Sequence, residues 1–236
     1  MSRTLQAILG IFVVVAVVGI GAFLYLTRDI AAPSQDVQSS AEQIEVSDEA
    51  ANEVVYRISQ DDSQVTYTIN EVLNGVDTTV VGATSEVAGD ILINMDDPSQ
   101  SQVGAISINA RTFETDEDRR DNSVARFILQ SEDDANEFIT FVPTAISGLP
   151  ESAAIGDTLS FEVTGDLTIA GTTNAVTFSV TATLESEAQL VGHAEATVAY
   201  ADFNLSIPNV PFVSSVEDTV VLSMDFVANA VTGDEA

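Results

Sequence analysis

The chain contains no cysteine, no tryptophan and no lysine, and its single histidine is His193. Without cysteine there is no disulfide framework, no thiolate nucleophile and no thiol for lipid attachment, so the sequence carries no redox-compartment signal. With one histidine and no G-x-S-x-G turn, no nucleophile and base pair can be recognised, and His193, beside Gly192, reads as a surface residue. Positive charge is scarce as well: 37 acidic residues face seven basic ones, all arginine, for a formal net charge of -30. Such a chain repels phosphates and anionic headgroups, which excludes nucleic acid as a partner. The acidic runs Asp116-Glu117-Asp118 and Glu132-Asp133-Asp134 lack the glycine and closing glutamate of a calcium loop. No motif calls for a cofactor, a metal or a catalytic residue, and the expectation is a binding protein rather than an enzyme.

What is present begins with residues 7–26, twenty residues without a charge, preceded by a short flank at 1–6. At about 1.5 Å per residue they would span a hydrocarbon core of roughly 30 Å as a helix. The run exceeds the usual apolar stretch of a cleaved signal, and Ala31-Ala32 is preceded by Ile30 where a small residue is wanted, so an uncleaved single-pass anchor is expected, with secretion after cleavage as the alternative. Residues 27–52 are rich in Ser, Gln and acidic side chains with no sustained apolar period, and they read as a flexible acidic linker. The remaining stretch, 53–230, has a length that suits one domain with a sizeable core, followed by a tail at 231–236.

That domain is written in period two. Val65-Tyr67-Ile69 alternates with Gln64-Thr66-Thr68, Leu222-Met224-Phe226 with Ser223-Asp225, and Ile91-Ile93, Ile106-Ile108 and Phe161-Val163 repeat the pattern. Turns are marked by Asn74-Gly75, Asp96-Asp97-Pro98, Gly148-Leu149-Pro150 and Gly156-Asp157. One helix is expected from about Arg120 to Gln130. Successive strands with few helices between them predict an all-β, antiparallel domain, as a sandwich or a barrel.

The stretch Gly165-Asp166-Leu167-Thr168-Ile169-Ala170-Gly171-Thr172-Thr173-Asn174-Ala175-Val176 resembles the YceI-like family, whose members carry a G-x-L-T-I-x-G-x-T-x-x-V segment. Thr115 to Asp121 is similar to the family's T-x-x-x-x-R-D block, and Asp202-Phe203-Asn204-Leu205, Pro208 and Asp218 to Leu222 are similar to its last two strands and their connection. Glu137 stands where the family usually has a proline, and Asn174-Ala175 where it has a basic residue and a proline. These departures read as drift at turns. The resemblance implies a lipocalin-like antiparallel β-barrel, an extracytoplasmic location and an apolar lumen for a polyisoprenoid.

Strand parity then nominates the lumen: Tyr67, Ile69, Ile106, Ile108, Phe141, Phe161, Val163, Leu167, Ile169, Phe178, Val180, Leu222, Met224 and Phe226. A one-residue slip in register would turn each of them outward. Medium-sized side chains and the lack of tryptophan leave room in a barrel of about eight strands for an elongated apolar guest. Arg119 and Arg120 are the candidates for a headgroup contact at the mouth, since guanidinium grips phosphate in paired hydrogen bonds; the alternative is that the neighbouring acids neutralise them and fix the local fold. The expected function is storage or transfer of an amphiphilic polyisoprenoid, an isoprenoid quinone or a polyprenyl phosphate, with no cofactor required. The alternatives are a packed β domain serving as a structural or interaction module and, less favoured, an enzyme acting on isoprenoid headgroups.

Overall fold

Alternating side chains can bury one face of a strand only if the sheet bends around them, and the described chain does so. The computed structural model describes residues 30–44, 52–208 and 213–231. The expected membrane segment at 7–26 lies outside the described residues, among which no helix is long and apolar enough to cross a membrane. The chain divides before Ala32, and every described strand belongs to the unit Ala32–Ala236.

The strands are β1 (Glu53–Ile58), β2 (Gln64–Leu73), β3 (Val76–Thr84), β4 (Val87–Ala88), β5 (Asp90–Asn94), β6 (Gln102–Val103), β7 (Ile106–Asn109), β8 (Phe138–Ser147), β9 (Thr158–Ile169), β10 (Thr172–Ser186), β11 (Gln189–Ala199), β12 (Val213–Val216) and β13 (Thr219–Ala230). They form one strongly curled antiparallel sheet in the order β4-β7-β8-β9-β10-β11-β13-β1-β5-β6, with β2 pairing β13, β3 and β12. The free edge of β13 is shared, Val221–Asp225 pairing with β2 and Ala228–Ala230 with β1. The sheet curls so far that the path nearly meets itself: Val87 and Ala88 pair with β7, while Asp90 to Asn94, one glycine later, pair with β1. The fold is lipocalin-like and all-β, as expected.

Two hairpins carry the turn chemistry that the sequence announced. Asn74-Gly75, with φ of 51° and 80°, joins β2 to β3, and Ala170-Gly171, with φ of 46° and 74°, joins β9 to β10. Two successive left-handed residues match the twist of the flanking strands, and glycine at the second takes that conformation without strain. On the outer face of β9 and β10, Thr164 and Thr177, and Thr168 and Thr173, are hydrogen-bonded at 2.8 Å. Val163, Leu167 and Ile169 point inward and are at most 6% exposed.

The helical stretch has the expected length but sits two residues earlier in the chain. Helix α1 (Asp118–Ser123) is followed by one π turn at Val124–Ile128. It starts early because the Asp121 carboxylate accepts both the Thr115 backbone N–H (2.8 Å) and its hydroxyl (2.6 Å), pinning the preceding loop to the first turn.

The linker expected over 27–52 is corrected by the structure between Ala32 and Ile44. This stretch is a strap laid on the sheet. Val37 is 0% exposed, in a 3-10 turn packed against β4 and β7. The Ser40 and Ser107 hydroxyls are hydrogen-bonded at 2.6 Å, and the Ile44 N–H donates to Asp90, itself paired with Arg57 at 2.9 Å. Ser34 donates its N–H (2.7 Å) and its hydroxyl (2.5 Å) to the two oxygens of Glu137. Glu137 is 1% exposed and pairs with the buried Arg111 at 2.9 Å. Arg111 also donates to the carbonyls of Ala32, Ser131 and Glu132 and to Asp134. Glu137, which the sequence presents as turn drift, is the polar centre of this end of the domain.

Breaking a buried ion pair by removing one partner strands the other charge, so Glu137→Ala in the full chain is expected to lower stability by about 3–5 kcal/mol. Ser34→Ala, which removes one hydrogen bond to a charged group, is expected to cost about 1–3 kcal/mol. Urea denaturation followed by circular dichroism reads both. A Ser34→Ala loss near zero would show that the strap contributes nothing to stability.

Candidate functional site

The inner face of the curled sheet encloses a cavity of about 650 Å³. This size falls within the range of ligand pockets, roughly 300–1,000 Å³, and excludes a solidly packed interior. All of the fourteen nominated lumen residues line it except Ile69 and Leu167. Ile69 lies past Tyr67, paired with the buried Val80, and Leu167, although it stands between the lining residues Val163 and Ile169 on β9, is 2% exposed in the packed core. Strand parity puts both on the inner face but does not say which inward side chains border open space.

The inner end is formed by Tyr67, Phe113, Ile139 and Ile169. The mouth is at the opposite end, where the lining residues Ala153, Ala154, Ile155, Asp157 and Glu187 are exposed. Met95, Phe113, Leu149 and Ile155 also line the cavity and escape the sequence reading, because they sit in turns and loops where no alternation marks an inward face.

The cavity stays open because three of its large side chains lie flat. Tyr67 covers Gly82 of β3, Phe141 covers Gly165 of β9 and Phe226 covers Gly192 of β11, so closely that a methyl group on any of these glycines would overlap the ring. Tyr67 and Gly82, and Phe226 and Gly192, are directly opposed across their strands. Rings folded over bare backbone take up little of the lumen's width. Tilted contacts fix two of them, Tyr67 with Phe113 at 5.4 Å and Phe141 with Phe178 at 5.0 Å, in the offset geometry that aromatic quadrupoles favour.

Polar features are few. The Tyr67 hydroxyl is buried and without a hydrogen-bond partner. Burial, and then the nearby Asp121 charge, push its pKa from the ordinary 10.0 up to about 12, against the opposing pull of Arg120. Burial and the Glu187 carboxylate likewise raise Tyr56, whose hydroxyl donates to the Glu187 carbonyl at 2.9 Å. The headgroup candidates are not among the lining residues: Arg120 pairs with Asp116 and, at 3.9 Å, with Glu71, and Arg119 is exposed on α1. His193 lies on the outer face of β11, its Nδ1 2.7 Å from Asp225, while its neighbour Ala194 faces the cavity.

A curled sheet around an apolar lumen has known counterparts. The family model of the YceI-like domain matches residues 56–228. Among solved structures, BcnA of Burkholderia cenocepacia is similar at 22% identity and a TM-score of 0.57, covering 72% of this chain and 98% of its own. A polyisoprenoid binding domain from Saccharophagus degradans, implicated in plant cell wall breakdown, is similar at 13% identity and a TM-score of 0.58, covering 75% of this chain and 98% of its own. At these identities the likeness is one of fold. No curated protein matches the chain.

Gly82→Ala is expected to push the Tyr67 ring into the lumen, at a cost of about 1–3 kcal/mol, and to reduce uptake of an apolar fluorescent probe; unchanged uptake would show that the ring position does not set the capacity. A folded pKa above the unfolded one gives a stabilisation that is full below pH 10 and lost as the pH rises through about 12. Alkaline titration at 295 nm should show two late-ionising tyrosines, Tyr67 and Tyr56, with stability falling as Tyr67 ionises.

Proposed function

The chain belongs to the YceI-like domain family, and from that premise we propose that it holds an amphiphilic polyisoprenoid, such as an isoprenoid quinone or a polyprenyl phosphate, in this cavity for storage or transfer at a membrane surface. The observation that carries the reading is the cavity itself: lined mainly by Val, Ile, Leu, Phe, Met and Ala, and open at one end. The Saccharophagus degradans domain of similar fold is described as polyisoprenoid binding, which supports the same class of guest. Binding needs no directional chemistry. Each buried methylene contributes about 0.8 kcal/mol, so a chain of several isoprene units supplies micromolar affinity or better from burial alone.

The reading is of binding rather than turnover. In it the apolar segment at 7–26 is the single-pass anchor, with the domain extracytoplasmic, or is cleaved on secretion.

Native mass spectrometry with organic extraction tests the proposal, on the full chain expressed in an isoprenoid-producing host. A retained species of isoprenoid mass is expected, and Ala182→Phe, which fills the lumen, is expected to abolish it. A wild-type protein that is empty and refuses added quinone and polyprenyl phosphate sinks the reading.

A further inference from the structure

The cavity's apolar walls say that the guest is greasy; its mouth says what charge the guest carries. At the mouth, the rim segments are 94–103, 148–157 and 184–190. They contain Asp96, Asp97, Glu151, Asp157, Glu185 and Glu187 and no basic residue. Asp157 and Glu187 line the opening itself. The last arginine in the chain is Arg126, and the arginines of the domain are committed elsewhere. Arg57 pairs with Asp90, Arg111 with Glu137 and Asp134, Arg120 with Asp116, and Arg126 with Glu132. Arg119 projects from α1, at the far end from the rim. A phosphate or carboxylate arriving at this mouth meets only like charge, within a Debye length and beside a low-dielectric wall.

The inner end offers a seat for the guest's oxygen. Tyr67 is a lining residue with a buried hydroxyl that nothing accepts from. An acceptor oxygen on the guest can take that O–H.

We propose that the cavity discriminates by headgroup charge, admitting an uncharged polyisoprenoid and rejecting an anionic one, through the carboxylates that ring its mouth, with the Tyr67 hydroxyl at its inner end as the seat for the guest's oxygen. This rests on the polyisoprenoid reading and narrows it: of its two candidate guests, the quinone type is retained and the polyprenyl phosphate excluded. Asp157 and Glu187, which line the opening, are the specificity-determining residues at the rim, with Glu151 adding charge from the neighbouring segment, and Tyr67 seats the acceptor oxygen.

Two probes with the same hydrocarbon chain test it, geranylgeraniol and geranylgeranyl diphosphate, bound to the lipid-depleted full chain and quantified by equilibrium binding. Wild type is expected to hold the alcohol at least about tenfold more tightly than the diphosphate, from several like-charge repulsions acting together. The gap should narrow in 1 M salt and in the exposed-site double variant Glu151→Lys, Glu187→Lys, through tighter binding of the diphosphate. Tyr67→Phe, which removes an unsatisfied hydroxyl and should fold at least as stably, is expected to weaken the alcohol roughly fivefold. Equal affinities in wild type, or a gap that neither salt nor the lysine variant moves, overturns the charge filter. No effect of Tyr67→Phe overturns the inner seat. If neither probe binds wild type, it is the polyisoprenoid reading that falls.

Discussion

Everything at the closed end of this domain is organised around one buried charge pair. Arg111 follows β7 and Glu137 precedes β8, with the helical stretch between them, so their 2.9 Å contact staples the ends of that long excursion together. Taking two charges out of water is costly, and the pair persists because nearly every lone pair and proton is used. Glu137 accepts from Ser34, Arg111 and Asn109, and Arg111 donates to three carbonyls and two carboxylates. Two of the partners, Ala32 and Ser34, come from the strap. The polar centre is therefore incomplete without a segment far away in the chain, and the strap has little apolar reason to dock beyond Val37.

With that end fixed, the rest of the sheet is free to be a container. Alternation puts apolar side chains inside, glycines opposite three aromatic rings let those rings lie flat, and the space that results is open at the end farthest from Arg111. The closed end uses its polar groups for mutual satisfaction, while the open end leaves its carboxylates to solvent.

This division also explains how much of the molecule is legible in its sequence. Period-two patterning yields strand parity without a slip, so Tyr67, Phe141, Phe161, Phe178 and Phe226 all face the lumen, and the turns at Asn74-Gly75 and Gly171 fall where glycine is needed for φ above zero. Which inward side chains border open space has no such signature, which is why parity assigns Leu167 and Ile69 to a lumen they do not line. Loop contributors such as Phe113 and Ile155 have no period at all. Glu137 and the strap mislead for a shared reason. Composition predicts solvation for Ser, Gln and Glu, and only tertiary partners distant in sequence turn them into a buried network. The arginines near Arg120 admit two readings in the sequence, and the structure places Arg120 among carboxylates.

The strap crosses the place where the two ends of the strand path share residues 87–94, with Val37 against β4 and β7 and Ile44 tied to Asp90. A sheet fastened over its own seam has a fixed girth. Larger guests cannot be accommodated by letting strands part, since parting them would undo the strap and, with it, the Ser34 contacts of Glu137. For the guest proposed above, room can therefore be added only lengthwise, out through the mouth, where a longer chain overhangs the rim and a wider one finds no more space.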